Sequence, residues 1–567
     1  MAFERTRLLL LLASLWALSS CASELRRFPL REPLWKDDDQ ATFEAMPEEY
    51  YSPFGWDAAD QTIFRPISRF LAVDPAGEAE NVNAFDEVPD SSWFQNRIGR
   101  FGMTPEEVWR GACDGPPLSP DMIWTIKDAK PDGANPGFVI KAADGRRYLL
   151  KFDGTRQGER ASTADVFGSR IYHAAGYHAP CNQVVFFDRS ILVMADDAES
   201  ENAQGETVPM TWDDVERVLS KSVVLEDGRY RASASLYLPG RPLGPFTYQG
   251  LRDDDPNDAI PHEDRRELRG GYVLASWLNH FDTREQNTLD IWVDAGEGRG
   301  YVRHYYLDFG DCLGSMWNYE GISRRLGHAY YLDIPYAVED AFTLGLVRRP
   351  WDAPRLGPMG MKLGYFGVER FVPEDYRTGY PNPAFGRASE LDKAWMARII
   401  AEFSEAHVAA GLRAARNTDE ALRKEVLRIL MGRRAKLLSR WFSKRSPLSH
   451  PEVVGGAEGE LLCVRDLAIA SGVARWSGRR YAARGHFGED LAPRWLPRLQ
   501  RPDGERICAR LPPASAGAGA DYRIVDFLIA PDSGAAPGPL RVHLYGLAQG
   551  NRVVGLERPE RALPPGG

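Results

Sequence analysis

Three shortages in this sequence of 567 residues exclude whole classes of protein. Cysteine is scarce, with 6 residues, so disulfides do not build the scaffold. A basic excess is missing, because Lys and Arg total 70 against 80 Asp and Glu, and the net charge of −10 argues against a nucleic-acid binder. A hydrophobic fraction of 43% is too low for a multi-span membrane protein and too high for chain-wide disorder. The length predicts about two to four domains.

The amino terminus has the pattern of an export signal. Arg5 and Arg7 precede a short apolar stretch, residues 8–17, that is too short to span a bilayer comfortably. The following Leu18-Ser19-Ser20-Cys21 resembles the lipobox of bacterial lipoproteins, which implies cleavage before Cys21 and a lipid anchor on its sulfur. An ordinary secretory signal with a chance cysteine is the alternative. Both export the protein, and Ala22 favours the outer membrane of the cell envelope.

An exported chain can form disulfides, and five cysteines remain after Cys21. The odd number leaves at least one thiol free. Cys463 and Cys508 both lie in the carboxyl-terminal region and are the expected pair. Two buried free thiols are the alternative at these positions.

A lysine lies in a predicted hairpin next to a glycine-containing loop. Strands over residues 138–142 and 147–152 flank the turn signal Asp144-Gly145, which places Lys151 near Phe138. The loop before this hairpin contains Gly133 and Gly137, and small residues let a backbone approach phosphates closely. A strand lysine needs an acidic partner, for which Asp165 in the next predicted helix (residues 162–175) is the first choice and Glu159 the second.

A second predicted hairpin carries oxygen ligands at its open end. Asn287 directly precedes a strand over residues 288–293, and Asp308, the first residue of Asp308-Phe309-Gly310, follows a strand over 302–307. If Thr288 faces Leu307, Asn287 and Asp308 lie opposite each other, about 4.8 Å between strands. A carboxylate and an amide oxygen suit Mg²⁺, which takes only one or two protein ligands beside phosphates and water.

Asp282 and Arg284, which precede Asn287 in the sequence, complete a possible phosphotransfer site. Asp282, in Asp-x₄-Asn spacing with Asn287, could accept a proton from an attacking hydroxyl, and Arg284 could stabilise the transferring phosphoryl group. A buried helix over residues 263–280 leads into this segment, and a helical block over 390–442 follows it, interrupted at Asn417-Thr418-Asp419.

The order of lysine strand, helix, Asp-x₄-Asn, hairpin and Asp-Phe-Gly resembles a protein-kinase-like fold over about residues 120–445. The resemblance is to the atypical branch near HipA-type and phosphatidylinositol-kinase-like enzymes. It implies ATP and Mg²⁺ as cofactors, with Lys151 on the α/β-phosphates, Asp282 as the base, and Asn287 and Asp308 on the metal. Residues 238–246 would connect the two lobes.

Three departures from that family weaken the expectation of catalysis. The covering loop is not Gly-x-Gly-x-x-Gly, Asp165 stands where most families have Glu, and no clear Ala-Pro-Glu follows. The expected architecture is α+β and two-lobed: a signal peptide (1–20), an irregular arm (21–119), an N-lobe (120–250), a mainly helical C-lobe (251–445) and a β-rich domain (446–567).

The expected function is transfer of a phosphoryl group from Mg-ATP to a hydroxyl of an unidentified protein or small molecule. The alternatives are a catalytically silent kinase-fold binding module and a structural envelope lipoprotein. Two further hypotheses concern other functional sites. His280, Asp282 and His304 could bind a transition metal, and the basic run that contains Arg433, Arg434 and Lys436 is predicted to be a solvated helix face or a contact for acidic lipids.

Overall fold

The structure is a computed structural model with a mixed α/β architecture. It describes residues 25–73, 77–130, 136–154, 157–201, 207–314, 320–352, 356–357, 359–456, 459–501, 504–513 and 521–560. Cys21 and Gly133 lie outside these ranges. None of the described helices is both long and apolar enough to cross a membrane.

A seven-stranded sheet holds the lysine hairpin. Its strands, in spatial order, are Asn182–Phe187, Tyr230–Leu236, Arg147–Phe152, Gly137–Ala142, Trp124–Lys130, Leu192–Glu201 and Thr207–Pro209. The lysine strand Arg147–Phe152 alternates, with Tyr148, Leu150 and Phe152 buried in a core that also includes Val215 and Val218 of the helix Trp212–Ser220. Lys151 therefore points to the opposite face. The helix Arg160–Ala175 packs against three strands of this sheet.

A helical region follows the sheet and confirms the predicted helices. Its α-helices are Arg266–Leu278, Glu320–Ser323, Ile334–Thr343, Pro383–Arg387, Glu390–Ala401, Glu405–Ala414 and Glu420–Phe442, with 3₁₀ turns at His262–Asp264, Glu285–Asn287, Gly360–Lys362 and Pro373–Asp375. The helix Arg266–Leu278 is buried on nearly all sides and ends at Asn279 in the left-handed conformation. Asp419 caps the last helix by accepting a hydrogen bond from the Leu422 N–H at 3.0 Å.

The predicted second hairpin exists, but its register differs by one residue from the predicted one. The strands Thr288–Gly296 and Arg299–Tyr306 pair with Thr288 opposite Tyr306, not Leu307, and Val293 opposite Tyr301, not Val302. A β-bulge between Asp294 and Gly296 inserts one residue into the first strand and causes the shift. The strands Phe43–Glu44 and Arg241–Gly244 complete this four-stranded sheet on its two edges.

The amino-terminal arm has more regular structure than its sequence predicts. The α-helix Phe54–Ala59, the π-helical turn Asp60–Phe64 and the α-helix Arg65–Leu71 follow one another without a break. Short helices follow at Ile98–Phe101 and Pro105–Arg110, the second with a capping box between Thr104 and Glu107.

The carboxyl-terminal region is β-rich. One sheet has the strands Leu448–Gly456, Gly459–Asp466 and Arg506–Arg510, and the other has Arg479–Phe487, Ala492–Trp495, Asp521–Pro531, Leu540–Leu547 and Gly550–Glu557. A short helix, Leu467–Ala470, and a 3₁₀ turn, Trp476–Gly478, lie between strands. Both sheets contribute to one hydrophobic core, so they form a sandwich.

Two disulfides cross-link the chain. Cys463–Cys508, the expected pair, joins two paired strands, so the alternative of two free thiols is wrong. Cys113–Cys181 was not expected from the sequence and ties the segment after the Pro105–Arg110 helix to the edge strand of the seven-stranded sheet. Cys312 is buried and free.

Candidate functional site

The site begins with Lys151, which pairs across the sheet with Gly137 on one side and Ser233 on the other. A Cβ on Gly137 would lie 2.1 Å from the Leu150 carbonyl oxygen, so only glycine lets the two strands meet here. Gly137 therefore serves the packing of the lysine strand in this structure. Its partner in the predicted phosphate loop, Gly133, lies outside the described residues.

The lysine contacts the Asp-Phe-Gly aspartate directly. Lys151 Nζ lies 2.8 Å from Asp308 Oδ1. Burial would lower the pKa of Lys151, but the carboxylates of Asp308 and Asp165 outweigh burial and raise that pKa above its usual value. The ammonium group is therefore charged and held at the predicted metal ligand. Asp308 itself has φ +49°, a left-handed backbone conformation that is uncommon outside glycine.

Asp165 belongs to the same cluster but is not the direct ion-pair partner. Its Oδ1 accepts the Phe309 N–H at 3.2 Å, and Ser233 donates a further hydrogen bond. Asp165 thus links the helix Arg160–Ala175 to the Asp-Phe-Gly segment. The alternative partner, Glu159, is wrong: its carboxylate accepts the Thr418 N–H at 2.7 Å and lies near Arg231 instead.

Asp282 is buried next to three of the predicted residues. Asn287 Nδ2 donates to the Asp282 carbonyl oxygen at 2.7 Å, and Arg284 Nε lies 3.6 Å from Asp282 Oδ1. Burial raises the pKa of Asp282; the Arg284 guanidinium opposes this rise and Asp308 adds to it. The structure thus brings Asp282, Arg284, Asn287, Asp308, Lys151 and Asp165 into one connected cluster.

The predicted face-to-face position of Asn287 and Asp308 is wrong by one residue. The Leu307 N–H donates to the Asn287 carbonyl oxygen at 2.8 Å, so Leu307 stands opposite Asn287. Asp308 is the next residue, where the chain leaves the strand with positive φ. Both side chains still meet Asp282, Asn287 by a hydrogen bond and Asp308 through its charge.

Sequence reasoning missed Asp311. This residue hydrogen bonds with Asp282, and burial raises its pKa well above the usual range, with the charges of Asp282 and Asp308 adding to the rise. Three carboxyl groups therefore crowd one cleft. The available signal was the second acid in Asp308-Phe309-Gly310-Asp311, three positions after the residue that the motif singles out.

The donor set fits a hard divalent cation. The candidate ligands offer oxygen only, and a cation would relieve the mutual repulsion of Asp282, Asp308 and Asp311, which raises two of their pKa values. No group of three or more His, Cys, Asp or Glu side chains in the described part of the chain is arranged so that it could hold a metal ion by itself. A cation here would therefore take its other ligands from phosphate and water.

The transition-metal alternative is wrong. His280 Nδ1 bonds with the Tyr172 hydroxyl at 2.8 Å, and His304 Nδ1 lies 2.6 Å from Asp290 Oδ1 while its ring stacks on Trp93. The two histidines belong to separate clusters. The basic run is also different from its prediction, because Arg433 and Arg434 are buried and donate to backbone carbonyls such as those of Ser276 and Ala401.

The mouth of the site is formed by residues that the sequence did not single out. The arm reaches the segment after Asp282, where Glu285 accepts hydrogen bonds from Gln61 at 3.1 Å and Arg65 at 2.7 Å. On the other side, the rings of Tyr331 and Tyr380 lie 5.0 Å apart. The Tyr380 phenol lies near the candidate base Asp282. Burial and the charge of Asp282 raise the pKa of Tyr380 to about 12.

Comparisons with known proteins give no family. No family model matches the chain, and no curated protein matches it significantly. Two solved structures are similar to it. A Golgi casein kinase crystallised with Mn and ADP is 10% identical, with a TM-score of 0.22 over 51% of this chain and 74% of that one. Another Golgi casein kinase structure is 9% identical, with a TM-score of 0.23 over 69% and 96%. TM-scores of this size do not establish a shared fold.

Proposed function

We propose that this protein is a kinase-like phosphotransferase that moves the γ-phosphoryl group of Mg-ATP to a hydroxyl acceptor. The observation that supports the proposal is the connected cluster of Lys151, Asp308, Asp165, Asp282 and Asn287, gathered from a sheet, a helix and a hairpin. In this reading the seven-stranded sheet and the helical region are the two lobes, joined by residues 238–246.

Each residue of the cluster has a chemical task in that reaction. Asn287 and Asp308 would hold Mg²⁺, which would neutralise charge on the phosphates. Lys151 binds the α/β-phosphates. Asp282 accepts the proton of the acceptor hydroxyl while the hydroxyl oxygen bonds to the γ-phosphorus and the bond between that phosphorus and ADP breaks. The raised pKa of Asp282 suits a general base. Arg284 stabilises charge on the transferring group.

The protein is proposed to act in the cell envelope. The export pattern of residues 1–20 and the lipobox-like Cys21 support a lipid-anchored form there. The acceptor is a protein or a small molecule with a free hydroxyl. Exchange of Cys21 for Ser should release the protein from membranes, and continued membrane association would argue against the anchor.

One observation favours a second function, that of a silent kinase-fold binding module. Lys151 forms its ion pair with Asp308, the proposed metal ligand. The charge of Asp308 is therefore already paired within the protein, as expected for a module that needs no metal at this residue. Catalytic contacts often tighten only when substrate binds, so this geometry is compatible with both functions.

The deciding experiment measures binding and transfer separately. Mg-ATP at 100 times its dissociation constant should stabilise the protein by about 2.7 kcal/mol in thermal melting. Asp308→Asn should lower phosphotransfer at least about 100-fold, because a charge at the transition state is lost. The exposed Asp197→Asn, on a strand of the same sheet, is the control and should keep full activity. Stabilisation without transfer would identify a silent module that still binds nucleotide, and no stabilisation would reject the enzyme.

A further inference from the structure

A cavity of about 530 Å³ lies away from the Lys151 cluster. Its wall includes residues 236–239, the segment that leaves the strand Tyr230–Leu236, together with Arg303 and Tyr305 of the second hairpin. Leu236 pairs with Tyr148 and Ser233 pairs with Lys151, so the cavity begins three strand positions, about 10 Å, from the lysine. This volume is in the range of small-molecule sites.

Two guanidinium groups face this cavity without a carboxylate partner. Arg97 donates to the carbonyl oxygens of His173 at 2.7 Å and Tyr177 at 3.1 Å and to the side-chain oxygen of Gln95 at 2.9 Å, all of which are neutral acceptors. Arg303 donates to the Tyr301 hydroxyl, and its buried Nε has no hydrogen-bond partner. In the part of the chain that the structure describes, neither arginine forms a salt bridge.

The acids on the cavity wall offset this charge only in part, although the charge of Asp90 acts on Arg97. Asp90 accepts hydrogen bonds from the Asn96 N–H at 2.7 Å and its side-chain amide at 2.8 Å, so its Oδ1 is engaged elsewhere. Asp114 is exposed at the rim, as is Lys36, and the two charges offset each other. The inner wall therefore has two positive side chains, Arg97 and Arg303, and one negative side chain, Asp90.

A buried acceptor completes the polar side of the cavity. His178 hydrogen bonds with the backbone of Ser91, and its Nε2 is buried without a partner. Burial and the nearby charges of Arg97 and Arg303 lower the pKa of His178 to about 3, so the imidazole is neutral and Nε2 offers a lone pair. The wall also has apolar and aromatic residues, among them Phe94, Leu238 and Tyr305, beside polar ones such as Gln40 and Gln95.

We propose that this cavity binds a small organic anion. Its carboxylate or phosphate group lies between Arg97 and Arg303, a hydroxyl or amide of the ligand donates to His178 Nε2, and its apolar body packs against Tyr305 and Leu238. Half-buried arginines without carboxylate partners can recognise such groups by charge-assisted hydrogen bonds. The site does not depend on phosphotransfer in the Lys151 cleft.

The test is titration calorimetry of the full-length protein with phenyl phosphate, benzoate and inorganic phosphate. Saturable binding of phenyl phosphate or benzoate is expected, and the stronger of the two identifies the anionic group. Arg303→Gln should weaken binding at least ten-fold, whereas the exposed Arg217→Gln, the control, should leave it unchanged. Inorganic phosphate should bind at least ten-fold more weakly, because it has no apolar body.

Three results would overturn the proposal. Absence of saturable binding by both aromatic probes would reject the site, and an unchanged affinity in Arg303→Gln would place the probe elsewhere. Because the Lys151 cleft can also attract phosphate, the titration is repeated with Lys151→Met. Unchanged affinity there supports the cavity, and lost affinity assigns the probe to the cleft.

Discussion

At the scale of single residues, Asp308 combines a functional side chain with an uncommon backbone conformation. Its φ of +49° is one that Asn and Asp tolerate better than other non-glycine residues. Asp308→Asn therefore keeps the backbone while it removes the charge. The loss of activity expected for this variant would therefore come from removal of the carboxylate charge and not from a change in the backbone.

Asp526 is expected to contribute to the stability of the protein in a pH-dependent way. Its buried carboxylate accepts from Arg541 at 2.8 Å and lies near Arg484 and His486. Burial alone would raise its pKa, but the hydrogen bonds from His486 and Arg541 lower the pKa to about 2. A carboxyl with a lowered folded-state pKa stabilises the protein above pH about 4, and this stability is lost as pH falls toward 2.

Asp526→Asn should therefore lower the free energy of unfolding at pH 7 by about 2 kcal/mol and flatten its decline between pH 4 and 2. Denaturant melts of wild type and variant across this range give the difference curve. The exposed Asp532→Asn is the control. A difference between wild type and Asp526→Asn that stays constant with pH would contradict the assignment.

The candidate site shows which residues a sequence can and cannot predict. Lys151, Asp282 and Asp308 were found because motif spacing and strand order are local properties of the chain. The one-residue register error came from the bulge at Asp294–Gly296, because a turn of this kind is not specified by alternation alone. Asp311 was missed because its importance comes from long-range crowding with Asp282.

At the scale of elements, the segment Phe54–Leu71 has its polar side turned inward. Asp57 and Gln61 are buried, and Arg65 reaches Glu285, whereas Trp56, Phe64 and Leu71 are exposed. The usual rule for a surface helix is the opposite. The sequence therefore gave no reason to dock this segment, because the rule used to orient helices assigns its apolar side to the core.

The Arg65–Glu285 pair is expected to hold this segment at the site. A double-mutant cycle of Arg65→Ala and Glu285→Ala should give a coupling energy of about 1 kcal/mol, because Glu285 is buried. Hydrogen exchange of residues 54–71 should accelerate in either single variant. The exposed Lys424–Glu420 pair is the control and should couple by less than about 0.5 kcal/mol. Equal coupling in both pairs would show that the arm is held by other contacts.

Helices and hairpins with local signals were predicted well, whereas buried arginines were not. The Asp144-Gly145 turn and the helix interruption at Asn417-Thr418-Asp419 are short-range features, and both are confirmed. Arg433 and Arg434 look like a charged surface in the sequence, yet each satisfies backbone carbonyls at the ends of neighbouring helices. Burial of such groups depends on which carbonyls the tertiary fold leaves open, and periodicity does not contain this information.

At the scale of the whole molecule, Asp86 joins three parts of the chain. Its carboxylate pairs with Arg266, with Arg398 at 3.4 Å and with Arg558 at 2.7 Å, on two helices of the helical region and the end of the sandwich. Burial would raise the pKa of Asp86, but these three guanidinium groups lower it well below its usual range. The residue is therefore ionised and fully compensated.

Asp86→Ala should cost about 3–5 kcal/mol, because it leaves buried arginines without a counter-charge. The unfolding midpoint in thermal melting should fall. The sandwich and the helical region should then unfold in two separate transitions. Asp227→Ala, on an exposed turn, is the control and should change stability by less than about 0.5 kcal/mol. A loss similar to that of the control would mean that packing alone joins the two regions.

The path of the arm has a consequence for how the protein is made. The Phe28 N–H donates to the Tyr522 hydroxyl, which lies 494 positions later in the sequence. Arg65 pairs with Glu285, which lies 220 positions later. Phe28, near the amino terminus, thus gains its partner Tyr522 only after almost all of the chain has been made. During synthesis, the segment around Phe28 therefore does not meet Tyr522 until nearly the entire polypeptide has emerged, and its apolar side chains are open to aggregation during that time.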